Sequence, residues 1–464
     1  MKFTEKYSRL FQLLLPSPLS IALLLSLVTI IIAAIFTNTQ NHSDQNYLIT
    51  LLEYWERGLW NNGLMVFALQ MMLMLVLGHI LAMSPFVSKF IDRISIYATN
   101  NARAAALVCF STMVVALFNW GLGLIFGAII ARNIGEKANR EGFALNYPLI
   151  GAAGYSCLMV WHGGISGSST TKVAEKGHLT SLMEGILPAD KLLELPSTIP
   201  FSETVFSSMN IVASTAVLTL IPLLMYLVGK TSSGTNLSRL ATKEVELKES
   251  IAPAGAEKID YSVFTTKIVG LIILLYLGLK ISQTPDFSKF TFITPNLINL
   301  SLLGLGFFFH KNIVGFLKAT EQAIGGASGI LIQFPLYFGI MGIMKESGMV
   351  NILSNFFVSH STTTSFPIFT LFSAGIVNVF VPSGGGQWAI QGPIIIQAAE
   401  SLQTSLPKSI MALAYGDQLT NMLQPFWALP LLGITKLKAK EILPYTLMMM
   451  LVGGAIYISV LLLF

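Results

Sequence analysis

Long uncharged runs limit what this chain can fold into more than any other feature. Residues 19–37, 62–82, 104–131, 204–229 and 444–463 hold no Asp, Glu, Lys or Arg, and further apolar runs lie at 147–161, 263–281, 296–309, 326–344, 366–399 and 409–423. An apolar stretch of about 18 residues or more is long enough to cross a bilayer as a helix. The hydrocarbon core offers no water to backbone N–H and C=O groups, so only helices and closed barrels can span it. The runs here are continuous rather than alternating, which excludes a barrel. Composition agrees: 53% of the 464 residues are hydrophobic and 11% charged, against about 25% charged in soluble domains. Too little polar surface remains to cover the apolar mass, and the chain reads as an all-α, polytopic membrane protein.

The net charge of +5 is not a nucleic-acid signal, because no basic stripe with interleaved aromatics accompanies it. The expected partner is the lipid bilayer, and a homo-oligomer is compatible with it. Cys109 and Cys157 both lie inside apolar runs, which argues against a disulfide framework and against a Cys-ligated metal. Lys2 and Lys6 precede the stretch from Leu19 to Thr37 as they would in a signal peptide. No small-x-small cleavage site follows, so an uncleaved first span is expected.

Two runs are interrupted. Residues 104–131 carry Asn119-Trp120-Gly121-Leu122-Gly123 at their centre, and 366–399 carry Pro382-Ser383-Gly384-Gly385-Gly386. Proline lacks an N–H and glycine is a poor helix former, so each run should break there. Halves of about 14 residues would extend only roughly 21 Å. Two of them can form a re-entrant hairpin, placed at 104–134 and 366–400; the alternative is one kinked span.

Charge counting separates the two. With hairpins and a cytoplasmic N-terminus, loops 132–146, 230–267 and 310–321 face the cytoplasm with eleven Lys and Arg, while 172–203, 280–295 and 345–365 face outward with six. If both runs crossed the membrane the counts would invert, so the positive-inside rule favours hairpins.

The hairpins expose a repeat. Residues 1–229 contain two spans, a cytoplasmic hairpin, a broken helix at 147–171 and a further span. Residues 296–464 contain two spans, an external hairpin, a broken helix at 409–432 and a further span. A polar linker and a connecting span at 230–295 join them. The order matches and the orientation is opposite, the plan of two inverted repeats with discontinuous helices seen in secondary transporters, with the site near the midplane. The expected location is the bacterial inner membrane.

After each hairpin an apolar segment turns polar and glycine-rich: Tyr155-Ser-Cys-Leu-Met-Val-Trp-His-Gly-Gly-Ile-Ser-Gly-Ser-Ser-Thr-Thr171, and Tyr415-Gly-Asp-Gln-Leu-Thr-Asn-Met-Leu-Gln-Pro425. Free N–H groups at half-helix starts suit a carboxylate. Candidate substrate-binding residues are Asn119 and Gly121 at the first tip, Ser383, Gly384, Gly385 and Gly386 at the second, and His162, Ser168, Ser169, Thr170, Thr420 and Asn421 at the breaks. Small residues for close helix packing are the bland reading of the same glycines and serines.

Asp417 is the one carboxylate within an expected membrane segment. Such an acid costs about 2.5–3.5 kcal/mol to insert and is a functional candidate, here for the coupling cation; a structural hydrogen-bonding role is the alternative. His162 is open between a proton site, a donor to substrate and a structural role. His79 reads as a satisfied packing histidine and Arg132 as an interfacial anchor. His162-Gly163-Gly164 with the serines after it suggests an esterase loop, but the nucleophile elbow is absent. No zinc-protease motif or P-loop appears, so neither a metal site nor an ATP-driven pump is expected.

Four strings together resemble the bacterial short-chain fatty acid transporter family: NWGLGLIFGAIIAR (119–132), HGGISGSSTTKVAEKGH (162–178), VPSGGGQWAIQGP (381–393) and GDQLTNMLQPFWALP (416–430). The resemblance covers nearly the whole chain and extends to the ion transporter superfamily. It implies inverted repeats, re-entrant hairpins, elevator-like movement, and cation-coupled import of monocarboxylates such as acetoacetate and butyrate. Trp120, Trp161 or Trp388 would line the acyl tail. The superfamily's Ser-Asn-Thr-type tips are replaced here, so Na⁺ and H⁺ both stand as coupling ions, with no other cofactor. A dicarboxylate carrier and a membrane-embedded enzyme are the alternative readings.

Overall fold

The computed structural model describes residues 18–37, 47–235, 255–284, 292–380 and 384–464. Their regular structure is helical, with no named strand among the described residues and one isolated bridge, Glu184 to Leu187. Six of the described helices are long and apolar enough to cross a membrane. Large apolar side chains such as Leu27, Ile35, Leu223, Phe264, Leu275 and Leu451 stand exposed on their outer faces. In water such a surface would drive aggregation; in a bilayer it is the solvated one.

Asparagines start many of the helices. Asn61, Asn100, Asn119, Asn146 and Asn312 each accept a hydrogen bond from the backbone N–H three residues on, satisfying a donor the helix itself leaves free. Gly142, at φ 74°, ends the Trp120–Glu141 helix, in a conformation that favours glycine.

The helices pack in two groups, each drawn from both halves of the chain. One consists of Pro18–Phe36, Tyr47–Leu59, Asn62–Ala82, Val263–Ser282, Pro295–Phe309 and Ile313–Glu346. The other is built on Asn101–Phe118, Trp120–Glu141, Ser208–Thr231, Phe366–Phe380, Gly384–Ser401, Leu406–Thr420 and Ala439–Leu463. They meet chiefly where Asn62–Ala82 packs on Trp120–Glu141 and Ile313–Glu346 on Gly384–Ser401. Glycine permits the closest approaches: a Cβ on Gly127 would lie 2.9 Å from the carbonyl carbon of Gly154, and one on Gly154 would lie 3.0 Å from that of Gly127.

Several expectations need correction. The first break is at Asn119 alone, with Gly121 and Gly123 inside the second helix. Asn119 both ends one helix and caps the next, and the glycines serve packing instead, Gly121 on Leu75 and Gly123 on Ala116. The two arms have 18 and 22 residues, about 27 and 33 Å. Their length therefore does not by itself exclude crossing. Gly384, Gly385 and Gly386 are not a loop but the first turn of a helix, whereas Pro382 and Ser383 lie outside the described residues. The second break falls at 421–424, so Asp417 and Thr420 sit on intact helix. The run at 326–344 belongs to a 34-residue helix that starts at Ile313. Helices Tyr47–Leu59, Pro85–Ser95 and Met349–His360 lie outside the apolar runs, because they are short and the first two also carry charges.

Candidate substrate site

The two broken helices brace each other. Helix Tyr147–Tyr155 gives way to short 3₁₀ turns at Ser156–Met159 and Trp161–Gly163 before Ser168–Val173 resumes, and Leu406–Thr420 gives way at Asn421–Leu423 before Pro425–Thr435. Each break frees backbone groups that no water can reach, and the opposite segment supplies most of their partners. The Tyr155 hydroxyl donates to the carbonyls of Asn421 and Gln424 at 3.0 and 2.9 Å. Tyr415 donates to Asn210 at 3.0 Å, and Asn210 donates to the Gly163 carbonyl at 2.8 Å. The His162 N–H donates to Gln418 Oε1 at 3.1 Å, and the Tyr457 hydroxyl to the Met159 carbonyl at 2.5 Å. Arg132 ties helix Trp120–Glu141 to helix Pro425–Thr435, donating to the Ile434 carbonyl at 2.8 Å and to Glu136 at 2.7 Å. It is a structural tie as well as a basic residue.

Between these elements lies a cavity of about 20 Å³, lined by Trp120 from the first tip, Gly384 and Gly385 from the second helix start, Leu158, Trp161 and Ser168 from the first break, and Asn421 and Trp427 from the second. Met71 and Phe334 close it from the other helix group. A void of that size holds about one water. No charged side chain is among the described residues lining it. The indole N–H groups of Trp120 and Trp161 are buried without a partner, as are Asn119 Nδ2 and Ser169 Oγ; His162 donates from Nδ1 to the Ala414 carbonyl at 3.3 Å, so its unpartnered Nε2 is an acceptor in the neutral ring. Ser168 spends its hydroxyl on the Met71 sulfur at 3.5 Å, a weak acceptor. Buried donors left open beside a cavity call for an acceptor ligand.

The remaining candidates divide. Gly384 packs on the His162 ring, where a Cβ would come 2.5 Å from Nε2. Gly385 faces Phe67 and Phe334, and Gly386 faces Tyr337. Gly121 is packing, as is Thr170, whose hydroxyl donates to the carbonyls of His162 and Gly167. Thr420 and Asn421 join a polar knot on Asn378, whose Nδ2 donates to the Asp417 carbonyl at 2.7 Å, Thr420 Oγ1 at 3.0 Å and Asn421 Oδ1 at 2.9 Å. Asp417 is fully buried; its Oδ1 accepts from Asn421 Nδ2 at 3.4 Å, His162 Nδ1 stands 3.9 Å from its Oδ2, and Oδ2 has no hydrogen-bond partner. Asn378 Oδ1 and Gln424 Oε1 are open acceptors of the same knot. Two open indole donors thus line the cavity, and open acceptors, together with the unpartnered Gln418 Nε2 donor, gather about the second break.

Trp388 does not reach the cavity: its N–H donates to His178 Nε2 at 3.0 Å. Burial, with Lys172 nearby, pushes His178 down to about 3, which keeps it neutral and able to accept. His79 is not packed away; it lines a separate, largely apolar cavity of about 740 Å³ with Leu75, Leu124, Gln333, Trp427 and Pro430. Asn210, Asn378, Gln418, Gln424 and Trp427 went unmarked in the sequence. The signal for the two asparagines was present, as polar residues inside apolar runs; nothing distinguished Trp427.

The profile of the short-chain fatty acid transporter family matches residues 1–464. The chain belongs to this family. Two relatives named for short-chain fatty acid transport share 34% identity with it: one from Escherichia coli (strain K12) over 455 residues, covering 97% of this chain and 96% of the relative, and one from Haemophilus influenzae (strain ATCC 51907 / DSM 11121 / KW20 / Rd) over 468 residues, 98% and 96%. This short-chain fatty acid transporter family member is therefore a multi-pass membrane transporter, and the enzyme reading falls away. Two solved structures share its fold: the Alcanivorax borkumensis YdaH transporter (TM-score 0.57, 16% identity, 95% of this chain and 98% of that one) and Neisseria gonorrhoeae MtrF, from a class of antimetabolite efflux pumps (0.55, 13%, 98% and 97%).

Proposed function

We propose that the protein is a secondary transporter that imports short-chain monocarboxylates with a coupling cation. The observation that carries this reading is the water-sized cavity where both helix pairs and both breaks meet, bordered by unpartnered neutral donors and tryptophans. Open N–H groups suit a carboxylate, and the indoles suit a short alkyl tail. The absence of Lys and Arg among the described lining residues weighs against a dicarboxylate, which would need a second strong anion partner.

A neutral site leaves the substrate's charge to be balanced by a cation. Asp417, with its open Oδ2 and the acceptors of Asn378 and Gln424 nearby, is the proposed seat of that Na⁺ or H⁺. In this reading the two interrupted units are re-entrant hairpins on opposite sides, Asn101–Glu141 cytoplasmic and 366–401 external, within inverted repeats. The N-terminus is cytoplasmic and the membrane is the bacterial inner membrane. The support is the lysine and arginine count together with Gly123 packing back on Ala116 across the turn. The group holding both broken helices is the moving body and the group holding Asn62–Ala82 and Ile313–Glu346 the fixed one.

The test is uptake of labelled butyrate and acetoacetate into proteoliposomes, with Na⁺ and pH gradients imposed separately. Accumulation driven by one gradient supports the reading and identifies the ion. Equilibration without accumulation under either gradient overturns coupling, and accumulation only when the gradient is reversed makes the protein an exporter.

A further inference from the structure

The cavity of about 20 Å³ has room for about one water, which is too little for any carboxylic acid. A wall must therefore move for substrate to bind, and the surroundings of each wall decide which. Trp120 is buried, and its backbone N–H is held by the Ser166 hydroxyl at 3.0 Å. Trp161 is buried and stacks on His162 with ring centroids 3.7 Å apart. Gly384 lies on the His162 and Trp161 rings, and Gly385 lies on Phe67 and Phe334, which pack on each other at 6.3 Å. All of these have protein behind them. Trp427 differs. It meets Trp120 edge-on at 5.3 Å, lines the small cavity, and also lines the apolar cavity of about 740 Å³. It is the one residue common to the two cavities as described, and open volume lies beyond it.

We propose that Trp427 is the mobile partition between the substrate site and the wide cavity, and that its bulk sets the acyl chain length the protein accepts. This rests on the reading of the small cavity as the carboxylate site. The carboxyl group meets the open donors, and the tail runs toward the indole of Trp427. A short tail fits once the ring tilts into the wide cavity. A longer tail would have to share that space with the ring, so a full-size tryptophan excludes it. The wide cavity is apolar enough to take the extra methylenes, because Leu75, Leu124, Ile125 and Ile129 line it. Removing ring volume should then convert exclusion into a gain from burial of each added CH₂.

The experiment is counterflow of labelled butyrate in proteoliposomes, with straight-chain acids from acetate to octanoate as competitors. Trp427→Phe and Trp427→Leu are compared with the unsubstituted protein and with Trp388→Leu, which removes an indole that lines neither cavity. The octanoate-to-butyrate potency ratio should rise in the order Trp, Phe, Leu by at least about tenfold, equivalent to about 1.4 kcal/mol, and should stay put in Trp388→Leu. A ratio unchanged in both Trp427 variants overturns the proposal, as does an equal rise in Trp388→Leu. If both Trp427 variants lose counterflow, ligand-induced thermal shifts of the purified proteins with butyrate and octanoate decide: a shift with octanoate exceeding that with butyrate supports the partition, and equal or absent shifts overturn it. Failure of the unsubstituted protein to exchange butyrate would instead sink the monocarboxylate reading, a result distinct from any of these.

Discussion

Replacing Asp417 with Asn keeps the side chain's shape and removes its charge. The carboxylate is fully buried, its nearest donor is Asn421 Nδ2 at a long 3.4 Å, and its second oxygen has no partner. An ionised acid at membrane depth costs about 2.5–3.5 kcal/mol, and one long hydrogen bond offsets only part of that. Asp417→Asn should therefore leave thermal stability in detergent unchanged or raised. Transport should respond in the opposite sense. A lone anion entering against 100 mV, inside negative, is opposed by about 2.3 kcal/mol, an exclusion of roughly 50-fold at 1.36 kcal/mol per factor of ten. One accompanying cation cancels that term, and a tenfold gradient of the cation then supports about tenfold accumulation, or about 1.4 kcal/mol. With the potential clamped to zero, the unsubstituted protein should concentrate labelled butyrate about tenfold under a tenfold gradient of its ion, by the same arithmetic. Asp417→Asn should only equilibrate it, while exchange of labelled for unlabelled substrate survives, because the neutral amide mimics the cation-loaded state. Concentrative uptake by Asp417→Asn with the original ion dependence would refute the assignment and move the search to His162.

Three further outcomes are expected. In a background lacking Cys109 and Cys157, cysteines at the exposed positions Asn100 and Asn139 should resist an external membrane-impermeant thiol reagent while cysteines at Thr364 and Ser401 react; labelling of Asn100 and Asn139 from opposite faces would eliminate the first hairpin. Gly385→Val should abolish uptake without preventing folding, since its Cβ would lie 2.8 Å from Phe334 and 2.9 Å from Phe67, an overpacking worth about 1–3 kcal/mol; normal uptake would remove this turn from the moving interface. Asn119→Ser retains a side-chain helix cap, because Ser caps as well as Asn, and removes the open Nδ2 donor without adding a buried charge; its apparent butyrate affinity should fall while the protein still folds, and an unchanged affinity would confine Asn119 to capping.

The membrane class, the helical content and most span positions were legible in the sequence because they follow from local properties. An uncharged run such as 62–82 has one low-energy state in a bilayer, and its helix is found at Asn62–Ala82. The four distinctive strings were enough to mark the family. Breaks were legible in kind but not in position. Glycine at 121 and 123 lowers helix propensity by only about 1 kcal/mol each, and packing on Leu75 and Ala116 outweighs that, so the chain turns at Asn119, where a side chain can cap. Asp417 was recognisable as an unusual acid, whereas its distance to His162 depends on residues 255 positions apart meeting. What only the tertiary structure decided was which groups share a wall. Trp388 and Trp427 look alike along the chain, yet one is spent on His178 and the other divides two cavities. Sequence records a residue's own preferences, but a cavity belongs to the surfaces of several helices at once, and its shape is set by how those helices pack.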